Sequence, residues 1–169
     1  MIAQGLFKWA SSDNSFVVQL PLRTLQDLDR YFARHNETET GGILVGHYSS
    51  DSGTANVTKV YPPPRDSVFG RWWFVRGKLG LTAILMRLWN SKNRHYYIGE
   101  WHYHPSNNVS PSEIDKEQMI SIARSSDYQC KIPILLIIGN KGTVCASPIS
   151  ITVFSADANP VPLLLQPTT

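Results

Sequence analysis

The stretch "WHYHPSNNVSPSEID", residues 101–115, decides how this chain is read. Upstream of it, "YYIGE" (96–100) is rich in strand-forming residues, so 96–104 is expected to be one strand running into the motif. Strand side chains alternate between faces, which puts His102 and His104 on one face and Tyr103 on the other. Pro105 has no N–H to give a ladder and ends the strand. After a loop, "SPSEID" reads as a helix start, with Ser110 as N-cap, Pro111 in the first helical position and Glu113 closing a capping box with Ser110. Ser112 and Asp115 then share a helix face. Turned back on the strand, that face brings two imidazoles, a carboxylate and a hydroxyl to one point.

The rest of the chain alternates strand and helix signals, which indicates an α/β fold. "FVVQLP" (16–21) is strand-like, and "LRTLQDLDRYFARHN" (22–36) is an amphipathic helix with Leu22, Leu25, Leu28, Tyr31 and Phe32 on one face. "GGILVGHY" (41–48) is a buried strand. "SSDSGT" turns into "ANVTKVYP" (55–62), its hairpin partner. Pro62–Lys78 reads as an irregular loop followed by a short strand, since three prolines forbid a helix at its start. "LGLTAILMRLWNSKN" (79–93) is a second apolar-faced helix. "KEQMISIARSSD" (116–127) continues the motif helix, and "KIPILLIIGNKGTVCASPISITVFS" (131–155) gives two strands about a Gly139–Gly142 turn. One domain is expected over 1–169, with a core of about 16–154 and an extended tail, 155–169, whose "LLL" docks on the core or on a partner.

Composition narrows the function classes. At 169 residues, one domain with a real core is expected. A formal charge of +3 is too small a bias to point to nucleic acid, and none is expected as a partner. No run of about 18 apolar residues marks a membrane span, and the N-terminus has no signal-peptide pattern, so a cytoplasmic location without membrane attachment is expected. Cys130 and Cys145 form no CxxC pair and read as a buried small residue and a loop thiol.

Two histidines and an aspartate suit a catalytic zinc, which takes three protein ligands and keeps water in the fourth position with its pKa lowered to about 7. His102, His104 and Asp115 are the candidate ligands, with one zinc ion as the cofactor. Hydrolysis also needs a base that is not a ligand and a donor for the developing oxyanion. Ser112 is the natural donor. Glu37 and Glu39 in "NETETGGILVG" are the candidate bases, with Glu39 favoured at the mouth of the buried strand.

Together, "ETGG" and "HYHPSNNVSPSEID" resemble the signature of the JAMM (MPN+, JAB-domain) zinc metalloproteases: a glutamate, then His-x-His-Pro, a spacer and Ser-x-x-Asp. The resemblance runs over roughly Phe16 to Phe154. It implies a cytidine-deaminase-like α/β fold, a mixed sheet flanked by helices. It also implies Glu39 as general base, His102, His104 and Asp115 as zinc ligands, and Ser112 as oxyanion donor. Family members cut isopeptide or peptide bonds after the C-terminal tail of ubiquitin or a ubiquitin-like protein. In size, and in "TGGILVGHY" and "IGEWHYHPS", the chain looks like the compact bacterial members of CBASS anti-phage operons. Those reverse conjugation of a CD-NTase C-terminus made by a fused E1–E2-like enzyme. Maturation or deconjugation of a ubiquitin-like or sulfur-carrier protein is the alternative within enzymes. A non-catalytic MPN− or RadC-like binding module is the alternative outside them, against which Glu39 and Ser112 argue.

Several residues keep two readings. Glu100 is either a partner that orients an imidazole or an ordinary strand carboxylate. Trp101 and Tyr103 read as packing residues. His35 and His95 read as helix-end and loop residues, while His47 follows the buried strand and is a minor candidate to reach the cleft. Pro62–Lys78 is either a solvated loop anchored by its aromatics or the insertion that clamps a substrate tail. Arg65, Arg71, Trp72, Trp73 and Arg76 are the candidate contacts in the second case.

Overall fold

The computed structural model describes residues 5–33, 37–51, 53–140 and 147–167. Its strands are β1 (Leu6–Ala10), β2 (Val17–Pro21), β3 (Thr40–Tyr48), β4 (Thr54–Val60), β5 (Val68–Phe69), β6 (Phe74–Val75), β7 (Tyr96–His104), β8 (Ile134–Gly139), β9 (Ile149–Val153) and β10 (Val161–Leu165). The helices are α1 (Leu22–Phe32), α2 (Leu81–Trp89) and α3 (Glu113–Arg124). The mixed sheet is as expected for an α/β fold, but it closes into a barrel in the order β1-β10-β9-β8-β7-β3-β4-β2. The pairs β2–β4 and β7–β8 are parallel and the others antiparallel.

Alternation divides the apolar side chains into two cores. One joins Leu25, Leu28 and Phe32 of α1 to Leu44, Trp101, Tyr103, Leu136 and Ile138. Here Phe32 stacks on Tyr103 at 4.7 Å, so Trp101 and Tyr103 are packing residues. The other core sets Ile43, Val45, Leu135 and Ile137 against Leu81 and Leu88 of α2 and Met119 and Ile122 of α3. The second face of β7 therefore looks toward α3. The register of β3 on β7 shifts between Leu44 and Val45, opposite Gly99 and Tyr97. This bulge moves Tyr97 onto the α3 face with Glu100, which simple alternation would not do. Gly99 has φ +157°, and a Cβ there would lie 2.0 Å from the Ile134 carbonyl oxygen.

Three local expectations change. The helix starts two residues later than read: Ser112, not Ser110, is the N-cap, and its capping box closes with Asp115, not Glu113. Ser110 is taken up in the loop, where its N–H donates to Asn108 Oδ1. The tail supplies β10, which sits between β9 and β1 and completes the barrel; only Leu163 of its three leucines is buried. Pro62–Lys78 holds two short strands rather than one, since β5 and β6 pair as a hairpin. Gly142, Cys145 and His35 lie outside the described residues.

Candidate metal centre

The fold brings His102, His104 and Asp115 together. Strand alternation sends both imidazoles toward α3, whose third residue is Asp115. One donor atom from each of the three lies within 4.8 Å of the others, and all three residues are buried. The capping box fixes Asp115: its Oδ2 accepts from the Ser112 N–H and the Ser112 hydroxyl, each at 2.8 Å. Its Oδ1 is left facing His102 Nδ1 at 2.9 Å. His104 Nδ1 lies 2.9 Å from the Asn108 carbonyl oxygen, which makes it the N–H donor and leaves the Nε2 lone pair free. Both nitrogens of His102 and Nε2 of His104 are buried without a hydrogen-bond partner, the close Asp115 approach not being aligned for one. Buried polar atoms without partners are costly. Buried imidazole nitrogens without an aligned hydrogen bond, packed against a carboxylate, fit a divalent cation, and two nitrogens with one oxygen suit zinc.

The charges fit the same reading. Burial opposes protonation of His102, but the Asp115 and Glu100 carboxylates outweigh it and raise its pKa to about 9. Burial alone would raise Asp115, yet His102 and the Ser112 hydrogen bonds hold it at about 2. Burial lowers the pKa of His104, so this imidazole is neutral and ligand-ready at neutral pH.

Glu39 directly precedes Thr40, which pairs with Tyr103, so it stands at the ligand end of β3. Burial, with the Asp115 charge adding to it, raises the Glu39 carboxyl to about 7. Its N–H donates to the Gly70 carbonyl, which fastens the β5–β6 hairpin beside it. In the same hairpin Phe74 meets the His102 ring edge-on at 5.6 Å. Glu37 is exposed. The Ser112 hydroxyl is at the site but directs its proton to Asp115 Oδ2.

The remaining candidates separate clearly. Arg65, Arg71, Trp72 and Trp73 are exposed, and the Arg71 guanidinium lies over Trp72 at 5.3 Å. Arg76 is not available to a substrate tail: it is buried and its Nε donates to Glu100 Oε1 at 2.7 Å. A sequence cannot show that ion pair, because the partners are 24 residues apart and meet only through the hairpin. Glu100 is buried with its Oε2 3.5 Å from His102 Nε2, close to the ring but not in a hydrogen bond with it. His47 does not reach the cleft. It lies at the far end of β3, beside His95, about 23 Å along the strand from Thr40 at about 3.3 Å per residue. Gln118 and Tyr128, which complete the surroundings of Glu100 and Arg76, were not singled out in the sequence. Gln118 was legible, being three residues beyond Asp115 on the same helix.

Residues 23–150 match the family described as prokaryotic homologs of the JAB domain. The chain belongs to this family. It is 39% identical over 131 residues to a "CD-NTase/cGAS isopeptidase" of Enterobacter hormaechei, covering 78% of this chain and 72% of that protein. A second "CD-NTase/cGAS isopeptidase", of Pseudomonas aeruginosa, is 30% identical, with 80% and 84% covered. A "probable metalloprotease" of Sinorhizobium fredii is 25% identical, with 72% and 75% covered. The solution structure of a Desulfitobacterium hafniense protein shares the fold, with a TM-score of 0.55, 86% of each chain covered and 17% identity. No helix among the described residues is long and apolar enough to cross a membrane.

Proposed function

We propose that this chain is a zinc-dependent isopeptidase that cleaves the bond after the C-terminal residue of a conjugated protein. The relatives named CD-NTase/cGAS isopeptidase support a CD-NTase conjugate as substrate, and with it a functional link to an E1–E2-like conjugating enzyme. The observation that carries the chemistry is the buried donor set: His102, His104 and Asp115 within 4.8 Å of one another, with imidazole nitrogens that no protein group satisfies.

His102, His104 and Asp115 are the groups that would hold the ion. Bound there, zinc would act as a Lewis acid and would lower the pKa of its water to about 7. Glu39 takes the proton of the attacking water as its oxygen adds to the carbonyl carbon. It returns that proton to the nitrogen as the C–N bond breaks. A carboxyl raised to about 7 suits both directions near neutral pH. Ser112, turning its hydroxyl from Asp115, donates to the carbonyl oxygen as negative charge develops. The exposed Arg65, Arg71, Trp72 and Trp73 grip the extended tail from the hairpin beside Glu39.

The test is gel-resolved cleavage of a CD-NTase C-terminus fused to a reporter protein. The expected result is a cut at the fusion point by the native chain and none by Glu39→Ala. Cleavage by both, or by neither with zinc bound, refutes the proposal.

A further inference from the structure

Glu100 is a carboxylate with 0% exposure that takes no part in the proton transfers assigned to Glu39. It lies two residues before His102 on the same face of β7. Its Oε1 accepts from Arg76 Nε at 2.7 Å and from the Tyr97 hydroxyl at 3.3 Å. Its Oε2 accepts from Gln118 Nε2 at 2.8 Å and lies 3.5 Å from His102 Nε2. Arg76 is as fully engaged. Its Nη1 donates to the Gly77 carbonyl at 2.9 Å and its Nη2 to the Tyr128 hydroxyl at 2.6 Å, with the guanidinium over the Tyr128 ring at 5.7 Å. Arg76 also directly follows β6, so it is a covalent part of the hairpin whose Phe74 meets His102 and whose Gly70 holds the Glu39 N–H.

We propose that Arg76 is a positioning residue that joins the β5–β6 hairpin to the metal centre. Through Glu100, whose Oε2 lies 3.5 Å from His102 Nε2, it holds a carboxylate in place against the His102 ring. Through its own backbone it fixes the place of the hairpin over His102 and Glu39. The planar fork is what permits both: three N–H directions reach β7, the carbonyl that follows Arg76 and the segment after α3 at once. A lysine ammonium, a single point of charge, cannot span the three. Groups behind a ligating histidine set its orientation and with it the affinity for metal. The inference rests on the metal reading of the site, though not on which bond is cut.

The experiment compares the full-length native chain with Arg76→Lys and with Gln118→Leu, each loaded with cobalt(II) in place of zinc. The readouts are the visible absorption of the cobalt, metal affinity by competition with a chelator, exchange protection of the Glu39 and Gly77 amides, which donate to the Gly70 carbonyl and the Ser67 hydroxyl, and the melting midpoint without metal. In Arg76→Lys the cobalt spectrum shifts, affinity falls about tenfold, and both amides lose protection while the metal-free fold still melts cooperatively. In Gln118→Leu, which touches Glu100 but not the hairpin, spectrum and affinity change while the amides stay protected. A folded Arg76→Lys with native spectrum and affinity overturns the proposal. Should Arg76→Lys not fold, an unchanged cobalt spectrum in Gln118→Leu overturns it, and a shifted one supports it. None of these readouts uses a substrate, so failure of the isopeptidase reading is seen separately, as absent cleavage by a correctly loaded native chain.

Discussion

Replacing Gly41 by alanine tests whether the sheet and the metal centre are built as one unit. Gly41 lies on β3 opposite His102. A Cβ there would stand 2.4 Å from the Trp101 carbonyl oxygen, 2.8 Å from His102 Cδ2 and 2.8 Å from Phe74 Cε1. The carbonyl belongs to the β3–β7 ladder and cannot withdraw without breaking strand pairing. The methyl must therefore displace the His102 ring and the Phe74 ring, a candidate ligand and the hairpin residue that packs on it. Overpacking of this kind costs about 1–3 kcal/mol. In a chain of this size that lowers the melting midpoint by about 3–10 °C. Moving a ligand ring also lowers metal affinity, by about tenfold or more. Gly80→Ala is the control. Gly80 has φ +79° but open space around it, so the substitution costs about 1–2 kcal/mol of backbone strain and leaves affinity unchanged. Thermal unfolding of the metal-free proteins and zinc titration against a competing chelator give both numbers. A Gly41→Ala protein with native melting and native affinity refutes this packing. Equal loss of affinity in Gly80→Ala would show that affinity follows stability alone.

Other outcomes follow from the same geometry. Glu39→Gln keeps the metal but slows cleavage by about 10²–10⁴-fold, measured as kcat with metal content checked alongside. Because the His102 pKa is raised to about 9 in the metal-free protein, zinc must displace a proton at pH 7; affinity therefore rises about tenfold per pH unit from 7 to 9. A flat profile in that window contradicts it. The same shift stabilises the metal-free fold most below the unfolded value of 6.5, and this contribution is lost as pH rises through about 9. Denaturant midpoints across that range check the sign. Trp72 is 67% exposed, so Trp72→Ala changes stability by no more than about 0.5 kcal/mol while lowering kcat/KM for the tail fusion.

Local patterns make much of the site readable in the sequence. His102 and His104 share a face because strand alternation is rigid, and Asp115 meets them because a helix starts one short loop later. The exact cap was not readable, since Ser110–Glu113 and Ser112–Asp115 both satisfy the spacing of a capping box. Only the second also delivers a carboxylate to the imidazoles. Barrel closure was hidden for a different reason. Lys8 interrupts β1, and the three leucines of β10 mask a strand in which only Leu163 of the three is buried, with Val161 packed against the same core. Arg76 reads as a candidate tail contact because its charge and its place in an aromatic loop suggest a surface, whereas Glu100 draws it inward. Long-range ion pairs of this kind leave no periodic trace in a sequence.

The most direct test of the metal centre is zinc content and conjugate cleavage measured on one preparation, before chelation, after it, and after zinc is restored, with His104→Ala carried in parallel. One zinc per chain is predicted, with cleavage lost on chelation, regained on addition of zinc, and absent from a His104→Ala protein that holds no metal. Cleavage that survives complete removal of the metal, or that persists in metal-free His104→Ala, would contradict it.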